Sequence, residues 1–238
     1  MTSVSKYTGH ISVVPVRAGS KGLKGKNIRP LDGLPLYLHA VHQGLRTAGH
    51  VFISTDIADI TQLDLPDGCT LCRRPAELAS DDTPMASVIT HLINTHSLQD
   101  RTLVLLQATT PLREDTDIES AMALHSEGAY DIVMSVVARD RGVLKYGTLN
   151  GNQFVAMRDP AYCFQNRQAL PEVYGPNGAV YVFSAARFME SEGFPTARIG
   201  VVEMSAMSSI DIDTEEDFRR VEDLMAAKRT TKIQKILV

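Results

Sequence analysis

The feature that most constrains this chain is a regular alternation of short apolar runs with helical segments through residue 138. Ile11–Val16 is apolar, rich in β-branched residues and bounded by Gly9 and Arg17–Gly19, which predicts a buried strand. Pro35–Ala48 repeats Leu36, Leu38, Val41 and Leu45 at helical spacing and stops at Gly49, a C-cap signal. Val51–Ser54 predicts a second strand, Ile57–Leu63 a short helix and Thr70–Cys72 a weaker third strand. Thr83–His96 predicts a helix, opened by Thr-Pro as N-cap and first-turn residue. Thr102–Gln107 is a strongly apolar strand, Asp115–Glu127 an amphipathic helix closed by Gly128, and Asp131–Val137 a further strand. This order predicts an α/β fold: a mostly parallel sheet with helices on both faces.

The alternation then breaks. Lys145–Leu149 and Asn152–Met157 flank Asn150-Gly151, a signal for a type I′ hairpin. Residues 139–176 therefore read as an inserted, partly antiparallel lobe. Regular order returns with a strand at Ala179–Phe183, a helix at Ala185–Ser191 and a strand at Gly200–Glu203. A last helix is expected over Thr214–Lys228, opened by the capping box Thr214-Glu215-Glu216-Asp217. The 238 residues fit a single domain carrying that lobe.

Composition excludes several classes. Hydrophobic residues are 44% and charged residues 22%, which rules out disordered, collagenous and coiled-coil chains. No apolar run approaches the roughly 18 residues that cross a bilayer. The polar start Met1–His10 lacks the apolar stretch of a signal peptide, so a cytoplasmic protein is expected. A net charge of −4, without a basic stripe interleaved with aromatics, points away from nucleic acid. The basic stretch Lys228–Lys235 reads as a solvated end. Cys69, Cys72 and Cys163 are an odd set. Cys69-x-x-Cys72 has no second ligand pair for zinc, and on a strand its thiols point to opposite faces. His39 and His42 lack a carboxylate at matching spacing and read as a packed or solvated pair.

The chemistry concentrates in two places. The loop Arg17-Ala18-Gly19-Ser20-Lys21-Gly22-Leu23-Lys24-Gly25-Lys26-Asn27 holds three glycines and four cations. Glycine lets backbone amides approach a ligand, and successive amides with cations make an anion cradle. In an open α/β sheet such a loop lies outside the carboxyl ends of the strands, where ligands bind. A polyphosphate is the natural guest. The loop is not a Walker A motif, because Ser20 replaces its first glycine and Asn27 stands where Ser or Thr would hold magnesium. It is not the dinucleotide fingerprint either, because position 21 is lysine. The second place is Ile210-Asp211-Ile212-Asp213-Thr214. In an extended segment its two carboxylates point the same way and repel unless a cation joins them. Mg²⁺ takes one or two carboxylates plus substrate phosphates. Helix capping is the competing role for these aspartates.

Together these stretches resemble a known family. Val16–Gly22 with Gly25-Lys26-Asn27 is similar to the opening motif of the N-acylneuraminate cytidylyltransferase (CMP-sialic acid synthetase) family. Arg74-Pro75-Ala76-Glu77-Leu78-Ala79-Ser80-Asp81 resembles its R-P-A-E-L-A-x-D, and Leu106–Arg113 its L-Q-P-T-S-P-L-R. Asn166–Pro171, Pro176–Tyr181 and Ile210–Thr214 resemble R-Q-x-L-P, P-N-G-A-I-Y and I-D-I-D-T. The six run in the family's order. The resemblance implies a nucleotide-diphospho-sugar transferase-like fold and the transfer of CMP from CTP to the anomeric hydroxyl of a nine-carbon 2-keto sugar acid. Pyrophosphate would leave, with Mg²⁺ as cofactor.

By the same resemblance, Arg17, Lys21 and Lys26 would bind the triphosphate, with Arg17, Lys21 and Asp211 as the catalytic set. Such transfers depend on positioning and on stabilising charge at phosphorus. Asn27, Arg74 and Ser80 would help hold the nucleotide. Asp211 and Asp213 would hold the metal. Gln107, Lys145, Arg167, Asn177 and Tyr181 would line the sugar pocket, with Arg167 gripping the sugar carboxylate. The 139–176 lobe matches the family's dimerisation arm, which lends residues to the neighbouring subunit, so a homodimer is implied. Phe194 would contact the acyl group in that way, or simply pack.

The chain departs from the family at Ala108 for Pro, Thr110 for Ser, and Gly175 where members can carry Arg. Alternative sugars are legionaminic, pseudaminic or deaminated nonulosonic acid. The eight-carbon acid fits less well, because its enzymes open with R-x-x-S-x-R-L-P-G-K and Lys21-Gly22-Leu23-Lys24 differs. Transfer to a sugar 1-phosphate is a further alternative, against which Arg167 argues. A non-catalytic nucleotide-binding regulatory module is the alternative of another class. It would be expected to lose the loop lysines or the acidic pair, and all are present.

Overall fold

The computed structural model describes residues 9–19, 22–62, 65–80 and 82–236, with side chains as far as residue 229. Strand β1 (His10–Val16) is followed by a two-strand ribbon of β2 (Pro30–Leu31) and β3 (Leu34–Pro35). Then come α1 (Leu36–Ala48), β4 (Val51–Thr55), β5 (Cys69–Arg73), α2 (Met85–His96), β6 (Thr102–Leu106), α3 (Asp115–Ser126) and β7 (Ile132–Arg139). The hairpin β8 (Gly147–Asn150) and β9 (Gln153–Ala156) leads to β10 (Val173–Ser184), α4 (Ala185–Glu190), β11 (Ile199–Glu203) and α5 (Glu215–Ile236).

Seven strands form one sheet in the order β11-β7-β10-β6-β1-β4-β5. β1 pairs parallel with β4 and β6, β4 with β5, and β7 with β11. β10 alone runs antiparallel, wedged between β6 and β7. The expected mostly parallel α/β sheet is therefore what forms. Period-two alternation along the strands feeds two apolar layers. On one face α1 and α3 cover Val14, Val16, Ile53, Val104, Leu106 and Val182. On the other α2 and α4 cover Val13, Phe52, Leu103, Leu105 and Phe183. Cys69 belongs to the first layer and Cys72 to the second, so the two thiols do point apart.

A smaller cluster fixes α5. Leu31, Leu36, Leu112, Ile212, Phe218 and Val221 pack together. Arg29 caps this cluster, donating to Glu215 (Nη2–Oε1 2.9 Å) with its guanidinium 4.0 Å over the Phe218 ring. The capping box forms as expected: the Thr214 amide donates to Asp217 Oδ2 at 2.8 Å and the Asp217 amide to Thr214 Oγ1 at 3.2 Å. The helix continues past Lys228 to Ile236, further than its sequence pattern suggested. Lys228 pairs with Glu114 at 3.4 Å and Arg229 with Asp32 at 2.5 Å.

Three local expectations are corrected. The expected helix at 57–63 does not form over residues 57–61, which hold a turn at Ala58-Asp59, and Gln62 lies in a 3₁₀ turn. The Arg73 guanidinium takes the carbonyls of Ile57 (2.6 Å), Ala58 (3.3 Å) and Ile60, and the Ile57 carbonyl also receives the Ile60 amide at 3.3 Å, a tight turn in place of an α-helical ladder. Helix α2 starts at Met85, two residues late. The Thr83 hydroxyl is shared with Ser80 Oγ at 2.8 Å and does not cap it. The hairpin turn is centred on Gly151-Asn152, between Asn150 and Gln153. Only Gly151 there has positive φ (59°), so the turn is not type I′.

Candidate functional site

The strand order reverses at β1: β4 and β5 lie on one side and β6 on the other. The crevice at the carboxyl ends of β1 and β6 is the switch-point position where α/β sheets bind ligands. A cleft of about 230 Å³ opens there, lined by Pro15, Arg17, Lys26, Asn27, Arg74, Met85, Gln107–Thr109, Asp211 and Asp213.

Each wall is built locally. The glycine-rich loop leaves β1 and turns at Gly25, whose φ of 67° suits glycine, into a single helical turn carrying Lys26 and Asn27. Asn27 is buried and donates Nδ2 to the Arg17 carbonyl at 3.0 Å, tying both ends of the loop. The Ala18 amide donates to Asp56 Oδ1 at 2.9 Å. Gly22 lies against the acidic segment: a Cβ there would stand 2.2 Å from the Asp213 carbonyl oxygen. Arg74 is buried behind the cleft, donating Nη2 to the Ser54 carbonyl at 2.9 Å. Burial lowers its pKa, Asp56 opposes that, and Arg17 adds repulsion.

The opposite wall is the acidic segment. Ile212 is fully buried in the α5 cluster, which contributes about 2 kcal/mol. Its amide donates to the Thr109 carbonyl at 2.8 Å. With Ile212 pinned inward, Asp211 and Asp213 both project into the cleft. Lys26 Nζ donates to the Ile212 carbonyl and to Asp213 Oδ1, both at 2.7 Å. The Asp211 carboxyl is pushed up by burial and then by Asp213, while Thr109 and Lys26 pull it down. This carboxylate pair, mutually repelling and open to the cleft, offers hard oxygen donors. It fits a hard divalent cation whose remaining positions are filled by phosphate oxygens and water.

Met85 and Gln107 also border a second hollow of about 270 Å³, lined by Leu105, Ile132, Met134, Tyr181, Phe194, Thr196 and Ile199. Tyr181 and Phe194 face each other with ring centroids 5.9 Å apart, and burial raises the Tyr181 pKa. This hollow is largely apolar.

The structure thus gathers Arg17, Lys26, Asn27, Arg74, Gln107, Asp211 and Asp213 around one cleft, with Tyr181 in the adjoining hollow. Lys21 lies outside the described residues. Ser80 is exposed, bonds Thr83 and does not line the cleft. Asn177 is buried and its amide is spent internally: Oδ1 accepts from Ser135 Oγ (2.5 Å) and the Ala179 amide (3.1 Å), and Nδ2 donates to Ser209 Oγ (2.8 Å). Lys145 and Arg167 sit on the 139–176 lobe and line neither hollow. Lys145 Nζ donates to the Gln165 carbonyl at 2.5 Å, and exposed Arg167 pairs with Asp140 at 2.9 Å. Of the positions where the sequence departs from the resembled motifs, Ala108 lines the cleft and Thr110 is buried. The Arg139 side chain lies across Gly175, its Cγ 3.2 Å from where a Cβ would stand.

Sequence reasoning missed Pro15, Met85 and Thr109 in the cleft, and Leu105, Ile132, Met134, Thr196 and Ile199 in the hollow. They are ordinary core and strand-end residues, marked only by the places the sheet gives them.

An open α/β sheet with a cationic, glycine-rich loop at its switch point, facing paired carboxylates, is the frame of a nucleotide-handling protein. In fold the chain is similar to the solved structure of CMP:2-keto-3-deoxy-manno-octonic acid synthetase complexed with CTP, at a TM-score of 0.69 and 17% identity, over 93% of this chain and 100% of that one. The chain belongs to the cytidylyltransferase family, whose sequence model matches residues 11–236. It is 29% identical over 215 residues to the N-acylneuraminate cytidylyltransferase of Streptococcus agalactiae serotype V, covering 89% of this chain and 52% of that protein. The chain therefore spans about half the length of that relative. It is 28% identical to the CMP-N,N'-diacetyllegionaminic acid synthase of Legionella pneumophila, covering 90% of this chain and 95% of that protein.

Proposed function

We propose that this protein transfers CMP from CTP to the anomeric hydroxyl of a nine-carbon 2-keto sugar acid. The observation that carries the reading is the cleft itself: Arg17, Arg74, Asp211 and Asp213 line one crevice at the β1–β6 switch point, with Lys26 paired to Asp213 between them. The cations of the cleft would hold and neutralise a triphosphate, and Asp211 and Asp213 would hold Mg²⁺. When bound, Mg²⁺ supplies charge neutralisation at the α-phosphate and acidifies the attacking hydroxyl. The sugar hydroxyl gives its proton to solvent as its oxygen bonds to the α-phosphorus, and the bond from the α-phosphorus to the α–β bridging oxygen breaks, so that this oxygen leaves with pyrophosphate. Arg17, Lys21 and Lys26 balance charge on the departing pyrophosphate. Gln107, shared between cleft and hollow, orients the sugar, while Tyr181 and Phe194 receive its apolar substituent.

Lys145 and Arg167 enter this reading through a second subunit. Their lobe exposes Tyr146, Leu149, Phe154, Met157 and Phe164, the last at 92%. Exposed apolar side chains gathered on one lobe support a subunit interface there. A homodimer formed through it would carry the lobe's cations to the partner's sugar site, where Arg167 would exchange Asp140 for the sugar carboxylate.

N,N'-diacetyllegionaminic acid is the second reading for the sugar. It is favoured by the match along 95% of the Legionella protein and by the apolar lining of the hollow, which suits acetyl methyl groups. The test is pyrophosphate release with CTP and Mg²⁺ against N-acetylneuraminate, N,N'-diacetyllegionaminate, pseudaminate, the deaminated acid and the eight-carbon acid. Strong release with one nine-carbon acid is expected. Silence across the panel with CTP still bound would overturn the transfer reading.

A further inference from the structure

Beneath the cleft lies a cation that the proposed chemistry does not use. Arg113 is 2% exposed, and burial drives its pKa down to about 10. Its hydrogen-bond acceptors are neutral. Nε and Nη2 donate to Gln43 Oε1 at 3.2 and 2.9 Å. Nη1 donates to the Gln107 carbonyl at 3.2 Å and to the Ala179 carbonyl at 2.6 Å. Gln43, from α1, returns a bond from Nε2 to the Arg113 carbonyl. Asp115 and Asp117 act on the guanidinium only through their field. Burying a guanidinium on neutral partners is costly, and an apolar filler would serve packing better. What the fork supplies is geometry: one planar group joins α1, the end of β6 and the bulged part of β10.

The two carbonyls it grips stand at the site. Gln107 borders both hollows. Ala108 and Thr109 continue the cleft wall, and the Thr109 carbonyl receives the Ile212 amide between the two aspartates. Thr109 also hydrogen-bonds Asp211. Ala179 follows Gly178, whose φ of 75° turns β10 beside the Gln107 side chain. We propose that Arg113, cradled by Gln43, is a positioning residue that sets segment 107–109 against β10, and through it aims Gln107 and Asp211 at the reacting groups. This inference rests on the proposed CMP transfer for its kinetic consequence.

The test compares Arg113→Lys, which keeps the charge but loses the fork, with wild type. Ile93→Val in the buried α2 layer serves as a mildly destabilising control. Amide hydrogen exchange at 108–110 and 179–180 is expected to quicken about tenfold in Arg113→Lys, with β1 and α2 unchanged. In steady-state kinetics, kcat falls and the sugar KM rises, each by about tenfold, while CTP affinity stays within about twofold. Gln43→Asn, a milder cut into the cradle, moves the same quantities the same way and decides the matter if the lysine variant fails to fold. Unchanged exchange at those amides in the folded variant would overturn the clip, whatever the activity. So would a lowered Tm with kinetic constants like those of Ile93→Val. A wild-type enzyme inactive on every sugar acid would defeat the functional reading and leave the clip to be judged by exchange alone.

Discussion

Gly22 is where the glycine-rich loop touches the acidic segment, and Gly22→Ala tests how tightly the proposed turnover depends on that contact. The added Cβ would lie 2.2 Å from the Asp213 carbonyl oxygen. Ordinary carbon–oxygen contact requires a retreat of about 1 Å, and both partners are backbone, so no side chain can swing aside. Gly22 has no positive φ, so alanine itself is unstrained there. The whole effect is therefore displacement of the loop from Asp213. A misplacement of about 1 Å in a transfer site costs about 100-fold in rate. The loop carries little of the core, so stability falls by about 1 kcal/mol or less, roughly 2–4 °C in Tm. Gly25→Ala is the counter-case: its φ is 67° and nothing lies within 4 Å of the added carbon. It should cost about 1 kcal/mol of backbone strain and spare most turnover. Pyrophosphate release and thermal melting on both variants decide the point. If Gly22→Ala keeps turnover within about threefold of wild type, or Gly25→Ala is the more crippled, loop–segment contact does not set the rate.

Three further outcomes follow from the geometry. Asp211 has a raised pKa, so the folded state binds its proton more tightly than the unfolded chain does, and stability is lost as pH climbs above about 3.8 towards the folded value. Asp211→Asn should therefore raise Tm at pH 7, with no gain below the unfolded pKa, while turnover is abolished; melting curves with no gain at pH 7 would contradict this. Leu149→Asp with Phe164→Ser should halve the mass measured by light scattering, if the exposed lobe joins two subunits; an unchanged dimer mass would place the interface elsewhere. Burial raises the Cys72 thiol and pushes Cys69 up to about 11, so mass spectrometry after brief alkylation at pH 7.5 should find half-buried Cys163 modified first.

The sheet was legible in the sequence because its strands are short, apolar and separated by helix caps such as Gly49. What escaped was set at long range. The segment 57–62 looks helical until the Arg73 guanidinium, a dozen or more residues on, takes its carbonyls. β10 announced only its apolar half, 179–183, because its first half (Val173–Pro176) is polar-flanked and becomes a strand only by pairing with the end of β7. In the site, the glycine loop and the aspartate pair were readable because charge and φ freedom are local properties. The Arg113–Gln43 pairing spans 70 residues and leaves no short-range trace. Asn177 shows the converse: its motif suggests a ligand contact, yet its amide is a strut between β7 and the segment that carries Asp211.

The position of β10 has a consequence for how the chain is made. Synthesis delivers β1, β4, β5, β6 and β7 before the strand that joins the last two of them. Until residue 184 is available, the growing chain holds two bare edges, Thr102–Leu106 and Ile132–Arg139, facing a gap one strand wide. Edges of this kind are templates for pairing with other chains. Closing the gap late and over a long sequence separation makes for slow folding. Nascent chains stalled between residues 140 and 173 would be the ones most in need of a chaperone.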